Sequence, residues 1–184
     1  MISSNDFKNG MAIEYEGDLL EVVYFQHVKP GKGGAFVRTK LKNLITGAIF
    51  EKTFRAGEKL EQAILETKKM QYLYRDEHYI FMDNSTYEQV SLDEKQIGGK
   101  KYFLMENMDA TLVFYKGNAI SIDLPTFIEA KIVNTEPGVK GDTVSSSFKP
   151  AEIETGAKVQ VPLFIENGDI IRVDTRTGDY ITRV

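Results

Sequence analysis

Alternation of apolar and polar positions, rather than helical periodicity, runs through this chain. Over residues 35–42 the two faces separate: Val37, Thr39 and Leu41 take one side of an extended segment, and Arg38, Lys40 and Lys42 take the other. Just before it, Pro30, Gly31, Gly33 and Gly34 enclose a single lysine, Lys32. Glycine on both sides frees the backbone there, and proline sets the chain's exit from the preceding strand. The pattern predicts a hairpin over 27–42 with a cationic tip and a cationic strand face. The same reading predicts strands at 11–15, 19–25 and 48–54, turns at 16–18 and 46–47, and a break at 56–59. Four or five short strands within about 60 residues are too few for a large barrel and suit a small SH3-like one.

Further along, strand patterns at 70–74 and 79–81 flank the polar turn Arg75-Asp76-Glu77-His78. Ser91 followed three residues later by Glu94 has the form of a capping box, which predicts a short helix over 91–96 ended by Gly98 and Gly99. Strands are predicted again at 102–105, 110–115 and 119–124, the last two joined at Gly117-Asn118. Beyond Pro125 come strands at 127–133, 159–165, 170–173 and 180–184, with a long polar, turn-rich interval at 134–156. The result is an all-β chain of three small units, 1–64, 65–127 and 128–184. Units of this size bury modest cores.

Composition narrows the class. Hydrophobic residues at 42% and charged residues at 27% exclude wholesale disorder. The chain has no Cys, which removes disulfides, thiolate chemistry and Cys-based zinc sites. No apolar run approaches the roughly 18 residues of a membrane span, and the first residues lack a signal-peptide core. A soluble, cytoplasmic protein without membrane contact is expected.

Charge adds a location. The net charge is -4, yet no Asp or Glu occurs from Val22 to Phe50. Residues 1–63 carry 9 Lys+Arg against 8 Asp+Glu, whereas 64–128 carry 7 against 10 and 129–184 carry 7 against 9. An acidic chain is a poor non-specific nucleic-acid binder, so a phosphate-rich partner would be met at the hairpin first.

The chain shows no catalytic constellation. The two histidines, His27 and His78, lie in different units, outside any H-E-x-x-H, G-x-S-x-G or Walker-type pattern. Asp76-Glu77-His78 reads as a tight polar turn rather than a metal site. Gly31-Lys32-Gly33 precedes no helix that could cradle a phosphate. Tyr72, Tyr74, Tyr79 and Phe81 are expected in a barrel core rather than as base-stacking platforms. No catalytic residue, metal ligand or cofactor is predicted. Lys32 is either a solvated loop lysine or an ammonium held out toward a phosphate-rich partner, or extended by modification. Lys29, Arg38, Lys40 and Lys42 favour the second reading.

These residues carry a resemblance. VKPGKGGAFVRTKLKN is similar to the lysine-tip hairpin of the bacterial elongation factor P family. MENMDATLVFYKGNAISIDLP resembles that family's middle domain, and TEPGVKGDT with the ending GDIIRVDTRTGDYITRV resembles its third. The resemblance implies an L-shaped, all-β monomer: an SH3-like (KOW-type) barrel followed by two OB-folds. It implies a translation elongation factor that is not an enzyme, binding the ribosome beside peptidyl-tRNA. Its tip would lie near the tRNA CCA end, stimulating peptide-bond formation and relieving stalling at consecutive prolines. An elongation-factor-P-like paralogue or a general RNA-binding β-barrel protein is the alternative. By the resemblance Lys32 is the tip residue, a target for a lysine-modifying enzyme, and Pro30, Gly31, Gly33 and Gly34 form its loop. Lys29, Lys32, Arg38, Lys40 and Lys42 would face tRNA or rRNA, joined by Tyr180 and Arg183 at the C-terminal end. One departure concerns residues 141–151, where the Gly-Gly that many members carry near the exit-site codon is missing.

Overall fold

The first sheet of the computed structural model, which describes residues 1–138 and 147–184, is built from the N-terminal strands. These are β1 (Ile2–Ser3), β2 (Ala12–Tyr15), β3 (Asp18–Val28), β4 (Phe36–Asn43), β5 (Ile49–Arg55) and β6 (Lys59–Gln62). Their order is β1-β6-β2-β3-β4-β5 and the paired strands are antiparallel. Glu16 and Gly17 both have positive φ, at 52° and 87°, the requirement of a tight turn whose twist matches its strands. Ile13, Leu20, Val22, Val37, Leu41 and Phe54 form the core, and Phe54 meets Phe7 and Tyr15 edge-on at 5.5 and 5.4 Å. β6 begins within the predicted break at 56–59 and carries no periodic signal, because only Leu60 of its four residues is buried. Its pairing with β1 and β2 is what makes it a strand.

The second sheet uses β7 (Leu65–Arg75), β8 (Tyr79–Met82), β9 (Gln89–Leu92), β10 (Asp109–Tyr115) and β11 (Asn118–Asp123), in the order β11-β10-β7-β8-β9. The predicted helix over 91–96 is corrected. Ser91 belongs to β9, and the helix α1 (Glu94–Ile97) is capped by Asp93, whose side chain accepts from the Gln96 amide at 2.8 Å. Gln96 returns the bond to the Asp93 amide at 2.9 Å, so the capping box is Asp93 with Gln96. Where a strand is expected at 102–105, Tyr102 and Phe103 end a 3-10 helix, Gly98–Phe103, and Leu104 and Met105 belong to no element. A short apolar run does not reveal its period.

The third sheet has β12 (Phe127–Thr135), β13 (Phe148–Ile153), β14 (Lys158–Pro162), β15 (Ile170–Asp174) and β16 (Tyr180–Arg183), ordered β14-β13-β12-β15-β16. β13 stands inside the interval read as polar and turn-rich. Its polarity is inverted at the start: Phe148 and Pro150 are exposed while Lys149 is buried, its ammonium donating to the Glu136 carbonyl.

Strand accounts for 55% of the structure and helix for 7%, so the class is all-β. The backbone groups into two compact units. The first comprises Met1–Lys68, Val90–Gly98 and Leu112–Ile122. Beside the first-sheet core it holds a second cluster, Ala12, Leu19, Ala63, Val113 and Ile120. There the Glu14 carboxylate accepts from the Tyr115 hydroxyl at 2.8 Å and the Lys116 ammonium at 3.2 Å. These bonds, the tyrosine's first, hold the Glu14 carboxyl below its usual range. The second unit comprises Lys69–Gln89, Gly99–Thr111 and Asp123–Val184, with Phe103, Met105 and Met108 packed on a core that includes Ile132, Ile153, Val161 and Ile171.

Candidate nucleic-acid interface

β3 and β4 form the predicted hairpin, and residues 29–35 are its tip. All seven tip residues, including Lys29, Pro30, Gly31, Lys32, Gly33 and Gly34, are exposed. Gly33 has φ +103°, a conformation L side chains avoid, and a Cβ there would meet only the Pro30 side chain, at 4.0 Å. The constraint at this glycine is backbone conformation and not crowding.

Alternation below the tip follows the sequence pattern. Val37, Thr39 and Leu41 are buried, and Arg38, Lys40 and Lys42 project outward. Cross-strand register aligns Lys40 with Glu51 on β5, and the two side chains are 3.8 Å apart on an exposed surface, a weak pair. Among the described residues, Lys29, Lys32, Arg38 and Lys42 have no acidic partner within ion-pair distance. Lys52 on β5 is different: it faces inward, 4.9 Å over the Tyr15 ring, and the Tyr15 hydroxyl raises its pKa.

Two residues of this face were not singled out by their sequence. Tyr24 aligns with Lys40, and Gln26 with Arg38. The register shifts between Val22 and Tyr24, leaving one residue of β3 unpaired at Val23. Strict alternation would send Tyr24 inward with Leu20 and Val22. The bulge reverses the phase, so Phe25 turns in and Tyr24 turns out, 45% exposed.

Tyr180 and Arg183 lie on β16 in the second unit. Tyr180 is half-buried against that unit's core, and the Arg183 guanidinium lies 5.6 Å over the Phe164 ring and 3.8 Å from Asp169. Of the stretch 141–151, residues 141–146 lie outside those described. Tyr72, Tyr79 and Phe81 are core residues, whereas Tyr74 is exposed. Asp76, Glu77 and His78 form an exposed turn in which Asp76 accepts from the His78 amide at 2.8 Å. Among the described residues no cluster of three His, Cys, Asp or Glu is placed to hold a metal. No described helix is long and apolar enough to cross a membrane.

The KOW-like domain model of elongation factor P matches residues 3–60, its OB domain model 65–122, and its C-terminal model 128–183. Elongation factor P of Symbiobacterium thermophilum is 55% identical over 184 residues, covering 100% of both chains. That of Natranaerobius thermophilus is 57% identical over 185 residues, covering 100% of this chain and 98% of its own. Among solved structures, eukaryotic translation initiation factor 5A from Methanococcus jannaschii superposes with TM-score 0.51 at 24% identity, covering 64% of this chain and 88% of that one. At that identity the likeness speaks for the fold alone. The end-to-end matches to all three models and to full-length relatives carry the assignment: the chain belongs to the elongation factor P family of translation elongation factors.

Proposed function

We propose that the protein binds the ribosome beside peptidyl-tRNA and places the Lys32 loop near the tRNA CCA end, stimulating peptide-bond formation and relieving stalling at consecutive prolines. The observation that carries this reading is the hairpin. It is an exposed, Gly-rich tip bearing Lys32, carried on strands of 11 and 8 residues whose outer face presents Arg38, Lys40 and Lys42. Its charge fits RNA phosphates, and its reach fits delivery of one ammonium to a recessed site.

The mechanism is positional and electrostatic. Proline's ring restricts the nascent chain and makes it a poor reactant. A cationic tip against the CCA end limits the orientations of peptidyl-tRNA. Orientation lowers barriers by up to about 7–11 kcal/mol in ideal systems, and a helper factor needs only a few of these. Covalent extension of Lys32 by a lysine-modifying enzyme belongs to the same reading, as does a part for Tyr180 and Arg183 in contacting RNA. The division at 1–64, 65–127 and 128–184 also belongs to it, supported by the three separate model matches.

The test is Lys32→Ala in a reconstituted system translating a Pro-Pro-Pro message, where stalling relief should fall to the level without factor. Undiminished relief sinks the role given to the tip. Equal affinity for ribosomes and for unrelated single-stranded RNAs would favour a general RNA-binding protein instead.

A further inference from the structure

The outer face of the hairpin carries an exposed tyrosine among its cations, with the half-buried Phe36 nearer the tip. Tyr24 stands directly across from Lys40, and Gln26 directly across from Arg38. Directly paired residues on one sheet face have Cβ atoms about 4.5–5.5 Å apart, and diagonal neighbours remain within reach of a tyrosine ring. Lys42 continues the row on β4, aligned with half-buried Glu21. Tyr24 is 45% exposed, and among the described residues neither its ring nor its hydroxyl has an intramolecular partner. In the same sheet Tyr15 packs on Phe54, and Phe25 meets His27 edge-on at 5.6 Å. An exposed phenol held outward by a bulge, between cations, has no evident role in folding.

We infer that Tyr24 is a ribose-reading residue: its ring packs on the sugar of an RNA strand whose phosphates are held by Arg38, Lys40 and Lys42, and its hydroxyl bonds a 2′-hydroxyl. The inference rests on the reading above that RNA is the hairpin's partner. Cations at alternate positions of one strand are about 6.6 Å apart, a spacing suited to successive phosphates. A side chain flanked by such cations meets the sugar between them. The surface of double-helical RNA accessible to side chains is the shallow minor groove, where 2′-hydroxyls are displayed. Tyr24 lies four residues back from the strand end at Val28, about 13 Å below the tip's base, so a tip at an RNA terminus sets Tyr24 against the adjoining stem. Gln26, beside it, offers a donor and an acceptor to the same edge. Phosphate contacts alone would not distinguish RNA from DNA; the phenol would.

The test uses the full-length protein and a fluorescent RNA stem–loop at low salt, with single 2′-deoxy substitutions walked along one strand. Tyr24→Phe should weaken binding to the all-ribose stem about three- to tenfold, the worth of one hydrogen bond. At one or two positions the 2′-deoxy substitution should weaken the wild type by the same factor and leave Y24F unaffected. Tyr24→Ala should lose about tenfold or more while keeping the salt dependence, whereas Lys42→Gln should lower the salt slope by about one. On ribosomes translating Pro-Pro-Pro, Y24A should raise the factor concentration needed for half-maximal relief without lowering the maximum. Y24F or Y24A binding like the wild type, or no position where phenol and 2′-hydroxyl couple, overturns the inference. A wild-type result for Lys32→Ala in the same assay would instead overturn the reading on which it rests.

Discussion

Beneath the cationic face, the Thr39 hydroxyl donates to the Lys52 carbonyl at 2.7 Å. Thr39 is fully buried and aligned with Lys52 across β4 and β5. The bond therefore sits on the hidden side of the strand that displays Arg38 and Lys40. A one-residue slip of β4 would bring Thr39 to the surface and bury both cations, so the buried hydroxyl and the apolar neighbours Val37 and Leu41 fix which side faces outward.

Thr39→Val keeps shape and removes that bond. Net loss of a typical hydrogen bond is about 0.5–1.5 kcal/mol, partly offset by the added apolar burial. For a chain of this size the expected fall in Tm is about 2–4 °C, measured by calorimetry. RNA binding at low temperature should be unchanged, because Val preserves the register. A Tm equal to the wild type's would show the hydroxyl to be energetically idle.

Gly33→Ala should separate tip conformation from global stability. The positive φ costs an alanine about 1–2 kcal/mol, which lowers the population of the observed tip about five- to thirtyfold. The tip packs against no core, so Tm should move by less than about 1 °C. Stalling relief measured against factor concentration should weaken while the melting curve stays in place. Full activity of G33A would mean that the left-handed turn is not needed for delivering Lys32.

How far the sequence could be read depended on where the information sits. The alternation of Val37 to Lys42, the Gly-rich tip and the absence of acids over 22–50 are local, and they placed the hairpin with its outer cations. Tyr24 was hidden because one unpaired residue at Val23 reverses the face of everything after it, and no residue type marks that bulge. β6 exists through partners distant in sequence. β13 was lost to an inverted start, with a buried lysine where an apolar residue was awaited. The Ser91-x-x-Glu94 pattern was a coincidence of spacing; Asp93-x-x-Gln96 offers the same geometry two residues later and wins, because Ser91 is already committed to β9.

That competition is testable at two positions. Asp93→Ala removes the side chain that accepts from the Gln96 amide and should cost about 0.5–2 kcal/mol. Ser91→Ala, on an exposed strand position, should stay within about 0.5 kcal/mol of the wild type. Urea titrations of both variants would reveal which residue caps the helix. A larger loss for Ser91→Ala than for Asp93→Ala would return the cap to Ser91.

The turn that brings β16 back along β15 is fixed by Asp174. Its carboxylate accepts from the Arg176 backbone at 2.9 Å and from the guanidinium at 3.1 and 2.7 Å. The guanidinium bond first, then the backbone bond, hold the Asp174 carboxyl down at about 2, from an ordinary 3.8. A carboxylate depressed in the folded state binds a proton more readily once unfolded, so its stabilisation is present above about pH 4 and is lost as pH falls toward about 2. Asp174→Asn should therefore melt lower at neutral pH, and the gap to the wild type should close between about pH 4 and pH 2. Thermal melts at intervals across that window measure the gap directly. Parallel curves would mean that the Asp174–Arg176 contact contributes no pH-dependent stability. A closing gap would tie the seating of β16, and with it Tyr180 and Arg183, to the five-residue connection 175–179.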